Sequence, residues 1–124
     1  MFAPGVHARA PRKVAGTVVL FGNSITDGFQ SSDSKNLRYA AVLAHRLAAR
    51  TGTTLAVLDA GITCKELLTN REQAMFGVAV AAYFSRDALL HNVRAIVAQE
   101  GINDVGIQAT RGTMQCSMLW TCER

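Results

Sequence analysis

Aromatic residues are scarce in this chain, 6% of its 124 residues, and that scarcity removes one class of partner. A nucleic-acid surface needs a basic stripe interleaved with rings that stack on bases. Here the net charge of +4 owes much to an N-terminal cluster of His7, Arg9, Arg12 and Lys13, which reads as a solvated tail. No nucleic-acid partner is expected. Cysteine is equally sparse: Cys64, Cys116 and Cys122 are odd in number and lack any C-x-x-C spacing, which argues against both a disulfide framework and a zinc knuckle. No run approaches the roughly 18 apolar residues of a membrane span. The opening residues carry charge without the apolar stretch of a secretory signal, and nothing in the sequence reports the compartment.

What remains is a chain that is 49% hydrophobic, long enough for one modest core and too short for two ordinary domains. Residues 1–15 hold both prolines, Pro4 and Pro11, beside the basic cluster; with no period of 2 or 3.6 they read as a disordered lead-in. Organised chain is expected from Gly16. Residues 17–21 form a continuous β-branched and apolar run, the pattern of a strand covered on both faces in a parallel sheet. The run "VVLFGNSITDGF" then stops at a turn that presents Ser24 between Gly22 and Gly28.

Over residues 36–50, Leu37, Ala40, Ala41, Ala44, Leu47 and Ala48 recur at helical spacing, and Gly52 supplies a stop. Residues 55–58 make a second short apolar run leading into Asp59, Ala60 and Gly61. A second helix is expected over about residues 73–90, its start weakened by Gly77, Val78 and Val80. A third strand, residues 93–98, runs into the polar loop "QEGIND". This βαβαβ rhythm predicts an α/β fold with an open parallel sheet. In such sheets ligands gather at the carboxyl ends of the strands, and those ends carry Ser24, Gly61 and Asn103.

A serine hydroxyl is a weak nucleophile until a base takes its proton, so Ser24 alone reads as a turn-former or a helix cap. A phosphate cradle does not fit, because the glycine spacing is one too long and no lysine follows. The three loops together suit different chemistry. Acyl transfer from an ester creates an oxyanion that needs two or three donors about 3 Å away; the backbone N–H groups of Ser24 and Gly61 and the Asn103 carboxamide are of the right kind.

"FGNSITDG", "LDAGIT" and "EGINDVG", in that order at strand ends, resemble the first three sequence blocks of the SGNH/GDSL hydrolase superfamily of esterases, lipases and other acylhydrolases. The resemblance covers roughly residues 16–107, and "YFSRDALLHNVRAIVAQEGINDVG" extends it ahead of the third block. It implies a flavodoxin-like three-layer α/β/α fold, here incomplete, with a partial hydrolase domain over residues 16–108. It also implies Ser24 as nucleophile, Gly61 and Asn103 as oxyanion-hole donors, a small-molecule carbohydrate or lipid ester as substrate, and no metal or cofactor.

The departures are part of the reading. Asn23 stands where Gly-Asp-Ser is common, keeping a short polar side chain that can brace the turn. Cys64 and Lys65 replace a frequent Gly-Asn pair. The family's late Asp-x-x-His block, source of its general base, does not occur in these 124 residues. His7, His45 and His91 all precede Asn103, and Asp87 and His91 are spaced as a helical surface pair. Residues 109–124 keep neither period and read as an atypical tail, as truncation or an altered reading frame would leave it. The expected function is therefore an ester hydrolase impaired for want of its base. The alternative is a non-catalytic binding fragment with an exposed sheet edge. Smaller expectations follow: Cys64 as a small buried hydrophobe, Asp27 as a cap, Asp104 bonding the backbone of its own loop, and Glu100 solvated or locally paired.

Overall fold

The computed structural model describes residues 13–32, 34–50, 52–70 and 77–106. The first strand, β1, spans Val14–Gly22 and is followed by a single helical turn, α1, at Ser24–Asp27. Helix α2, Tyr39–Ala48, leads to strand β2, Thr54–Gly61. A 3-10 turn at Val80–Tyr83 runs into the short helix α3, Phe84–Asp87, and strand β3 follows at Val93–Gln99. Residues 102–106 are again helical.

The strands form one parallel sheet in the order β2-β1-β3. The first crossover steps outward from β1 to β2, and the second returns across β1 to the far side. Crossovers of one hand that step in opposite directions lay their helices on opposite faces, and the core divides accordingly. Val18 and Leu20 point to one face and pack with Ala40, Leu43 and Leu47 of α2. Val19 and Phe21 point to the other and pack with Val80, Phe84 and Ala88. The middle strand is thus dry on both sides, which is why its sequence is an unbroken apolar run rather than an alternation.

The outer strands are covered on one side each. Val97 shares the α2 side with Leu20, its register partner, and is 45% exposed; Leu58 pairs with Val19 on the opposite side and is 37% exposed.

Three expectations change at element boundaries. Helix α2 starts at Tyr39 and not at residue 36, because Asn36 has φ +51° and Arg38 holds ψ at 143°, which leaves Leu37 outside the helix and exposed. The sheet begins at Val14, two residues inside the expected lead-in, because Lys13 O already receives the Thr54 N–H. The long second helix expected over residues 73–90 does not form over its described part, residues 77–90; residues 73–76 lie outside the described residues. Gly77 has φ +54° and Ala79 holds ψ at 142°, neither of them helical, and the N–H groups of Ala79, Val80 and Ala81 go to Asn70 Oδ1, Glu66 O and Leu67 O. Tertiary acceptors have taken the donors a helix would have used. Consequently Asp87 and His91 are not a helical pair: Asp87 instead takes a two-point contact from its neighbour Arg86, at 2.6 and 2.7 Å. Residues 1–12 and 107–124, with His7, Cys116, Trp120 and Cys122, lie outside the described residues.

Candidate active site

The turn carrying Ser24 is fastened at both ends. Asn23, fully buried, turns its Oδ1 onto the Ile25 N–H at 3.0 Å and so caps α1. At the other end Gly28 takes φ +86°, and the N–H groups of Gly28 and Phe29 return to Ile25 O and Ser24 O, a Schellman closure that glycine makes without strain. Asn23 thus braces the turn as its short polar side chain allows. Asp27, expected as a cap, instead lies at the end of α1 and accepts the Thr63 hydroxyl at 2.7 Å.

Glycine is required beneath this turn. A Cβ on Gly22 would collide with the Thr26 side chain and lie 2.7 Å from Gln99 O. A Cβ on Gly61 would meet the Asp27 backbone N–H and lie 2.8 Å from the Thr26 carbonyl carbon. The end of β2 therefore presses directly on the backbone of α1. Below it, Thr26 is buried, receives the Tyr39 hydroxyl at 3.3 Å and donates to Gln99 Oε1 at 3.4 Å.

Register brings the three loops together: Gly22 is paired with Gly61 on one side and with Gln99 on the other. Ser24 is two residues beyond that line and Asn103 four beyond Gln99. The loop after β3 is tied to the loop after β2, since Asn103 Nδ2 donates to Lys65 O at 2.6 Å, and Asp104 accepts the Leu67 N–H at 2.8 Å and the Leu68 N–H at 3.3 Å. Asp104 thus holds the neighbouring loop rather than its own.

Both expected oxyanion donors already make one hydrogen bond. Gly61 N–H goes to Asp59 Oδ1 at 3.0 Å, and one of the two N–H groups of the Asn103 amide goes to Lys65 O. The Ser24 N–H, at the first position of α1, has no intrahelical acceptor. Ser24 itself is half-buried, and among the described residues no side chain hydrogen-bonds its hydroxyl.

Both described histidines stand at the wrong end. Helix α2 runs antiparallel to the strands: Tyr39 touches Thr26 at the carboxyl edge, whereas Leu47 O receives the Thr54 hydroxyl at the start of β2. His45 is six residues along it, about 9 Å from Tyr39 toward the amino edge. His91 directly precedes Asn92, whose carbonyl receives the Thr17 N–H at that same amino edge.

Two carboxyl groups at the carboxyl edge have raised pKa values. Burial pushes Asp59 above the usual carboxylate range, opposed by its bond from Gly61 N–H. Glu100 is pushed up to about 7, chiefly by burial, with the Asn23 carboxamide pulling the other way and the Asp104 charge adding to the rise. Glu100 is therefore neither solvated nor ordinary, and the sequence carried one sign of it, a charged residue at the mouth of a strand just before Gly101. Cys64, half-buried, takes φ +64° in the loop between the Gly61 and Lys65 contacts.

Among the described residues no group of three or more His, Cys, Asp or Glu side chains could hold a metal ion, and no helix is long and apolar enough to cross a membrane. No family model and no curated protein matches the chain.

Proposed function

We propose that the carboxyl edge is an ester-hydrolase site of the SGNH type, impaired in these 124 residues by the lack of a base. The observation that carries this reading is the register of Gly22 with both Gly61 and Gln99, which brings the Ser24 turn, the Gly61 N–H and the Asn103 loop to one rim. The strand order 2-1-3 is also how flavodoxin-like sheets begin, and their ligands bind at this rim.

The chemistry has two steps. Ser24 Oγ adds to the ester carbonyl as its proton leaves, and the negative oxygen is held by N–H donors; the carbonyl re-forms, the C–O bond to the alcohol breaks, and the alcohol departs with a proton. Water then adds to the acyl-serine and releases the acid. Gly61 N–H must exchange Asp59 for the substrate oxygen, whereas the Asn103 amide can keep Lys65 O and give its second N–H, so the hole is completed on binding. With His45 and His91 at the far edge, no described histidine takes the Ser24 proton; it goes to solvent, and turnover is slow by most of the acceleration a triad gives. Carbohydrate and lipid esters fit this chemistry equally.

The test is p-nitrophenyl acetate hydrolysis with added imidazole, which replaces the missing base in solution. Imidazole-stimulated turnover by the chain should exceed that of Ser24→Ala; equal rates in the two would end the reading. A second reading, a non-catalytic fragment that pairs through a sheet edge, is favoured by the outer edge of β3, which no described strand pairs, and by the exposure of Val97. Concentration-dependent association, with Ser24 unreactive throughout, would select it.

A further inference from the structure

Asn23 and Glu100 lie on segments joined through the backbone, the Asn23 N–H reaching Gln99 O at 3.4 Å. Asn23 is fully buried, and its Nδ2 has no acceptor in hydrogen-bond geometry; both Glu100 carboxyl oxygens are likewise shielded from solvent without a donor in such geometry. The carboxamide faces that carboxyl group. A buried donor and a buried acceptor, each lacking what the other offers, cost free energy until they meet. Asn23 has only two polar ends, and the first already holds α1 through Ile25.

We propose that Glu100 is a positioning residue for the Ser24 turn: its carboxyl group takes the Asn23 amide, fixes the flip of that side chain, and so keeps Oδ1 on the Ile25 N–H next to the nucleophile. This rests on the reading of Ser24 as nucleophile. A carboxamide free to rotate would present Nδ2 to Ile25 N–H half the time, donor against donor, and the first turn of α1 would open. Once ionised, Glu100 offers lone pairs alone, and only the correct orientation of Asn23 satisfies them. The other groups facing Glu100 are Asp104, which repels its charge, and the Gly101 N–H, which favours it. Neither can orient Asn23.

Two measurements on the full 124-residue chain test this. In the first, the Asn23 side-chain NH₂ resonances are followed by NMR from about pH 5 to about 9, across the range where Glu100 titrates. They should shift with a midpoint near 7 and stay flat in Glu100→Gln; flat resonances in the unaltered chain while Glu100 itself titrates would overturn the proposal. In the second, labelling of Ser24 by a fluorophosphonate in the presence of imidazole should slow about tenfold in Glu100→Ala, the equivalent of one hydrogen bond, and by no more than about twofold in Glu100→Gln, which keeps an acceptor oxygen. Equal slowing in both variants would point to charge rather than orientation and would also overturn it. Should Glu100→Ala fail to fold, the NMR titration of the unaltered chain decides alone. Absence of Ser24 labelling in every chain refutes the nucleophile reading, whereas the Asn23 titration then still decides the pairing.

Discussion

Asn103 gives its side-chain amide to the carbonyl of Lys65 across 2.6 Å, so that the loop beyond β3 grips the loop beyond β2. The same amide is the donor that an ester oxyanion would require, and its two N–H groups let one side chain serve as both a structural tie and a donor for the site.

Replacing Asn103 by Ala should accordingly cost about 1 kcal/mol of stability, read as a lower urea midpoint with an unchanged m-value. Any Ser24-dependent ester turnover should fall about a hundredfold or more, as loss of one oxyanion donor does elsewhere. A variant that lost the stability but kept its rate would remove Asn103 from the site.

Gly61→Ala should be worse for the fold than its one added methyl suggests. The new Cβ would meet backbone atoms of Thr26 and Asp27, which have no rotamer in which to retreat. A loss of about 1–3 kcal/mol is expected, the usual range for overpacking, together with weakened amide-exchange protection in α1. Gly52, whose Cβ would meet nothing within 4 Å, supplies the contrast, although its φ of +85° still penalises any side chain.

Stability should fall as pH rises between about 4.5 and about 7. In the unfolded chain Glu100 releases its proton at the ordinary value of 4.5, whereas the folded protein keeps it until about 7. Between these values the unfolded state binds fewer protons, and raising the pH favours it. Thermal melts across this range should show the slope, and Glu100→Gln should flatten it and be the more stable protein at pH 8. A steeper slope in the variant would contradict the assignment.

Phe21→Ala should remove about 3–5 kcal/mol, a large share of what a domain of this size has. Phe21 stacks edge-to-face on Phe84, with ring centroids 5.2 Å apart and planes at 89°, and this contact helps to join the central strand to the layer formed by residues 80–88. Phe84→Leu, which keeps apolar volume there, should cost distinctly less.

The three strands and α2 were legible because each is marked locally: β-branched runs ending in glycine, and an apolar stripe from Ala40 to Leu47. The segment from Gly77 to Leu90 was not, since its pattern is helical and the outcome depends on distant acceptors, Asn70 Oδ1 and the carbonyls of Glu66 and Leu67, that no local reading supplies. Around Ser24, sequence spacing located the residues but was silent on their occupancy. That Asp59 claims the Gly61 N–H, and that Glu100 is enclosed beside Asn23, are facts about the fold of three separate loops.

The sparse covering of the outer strands lies on a diagonal: Leu58 meets solvent at one border of the sheet looking one way, Val97 at the opposite border looking the other. Water therefore reaches this sheet from two unconnected corners, and no single slab laid on either side could dry both. Unravelling should begin independently at each corner, leaving the amides of the middle ribbon as the last to exchange with deuterium.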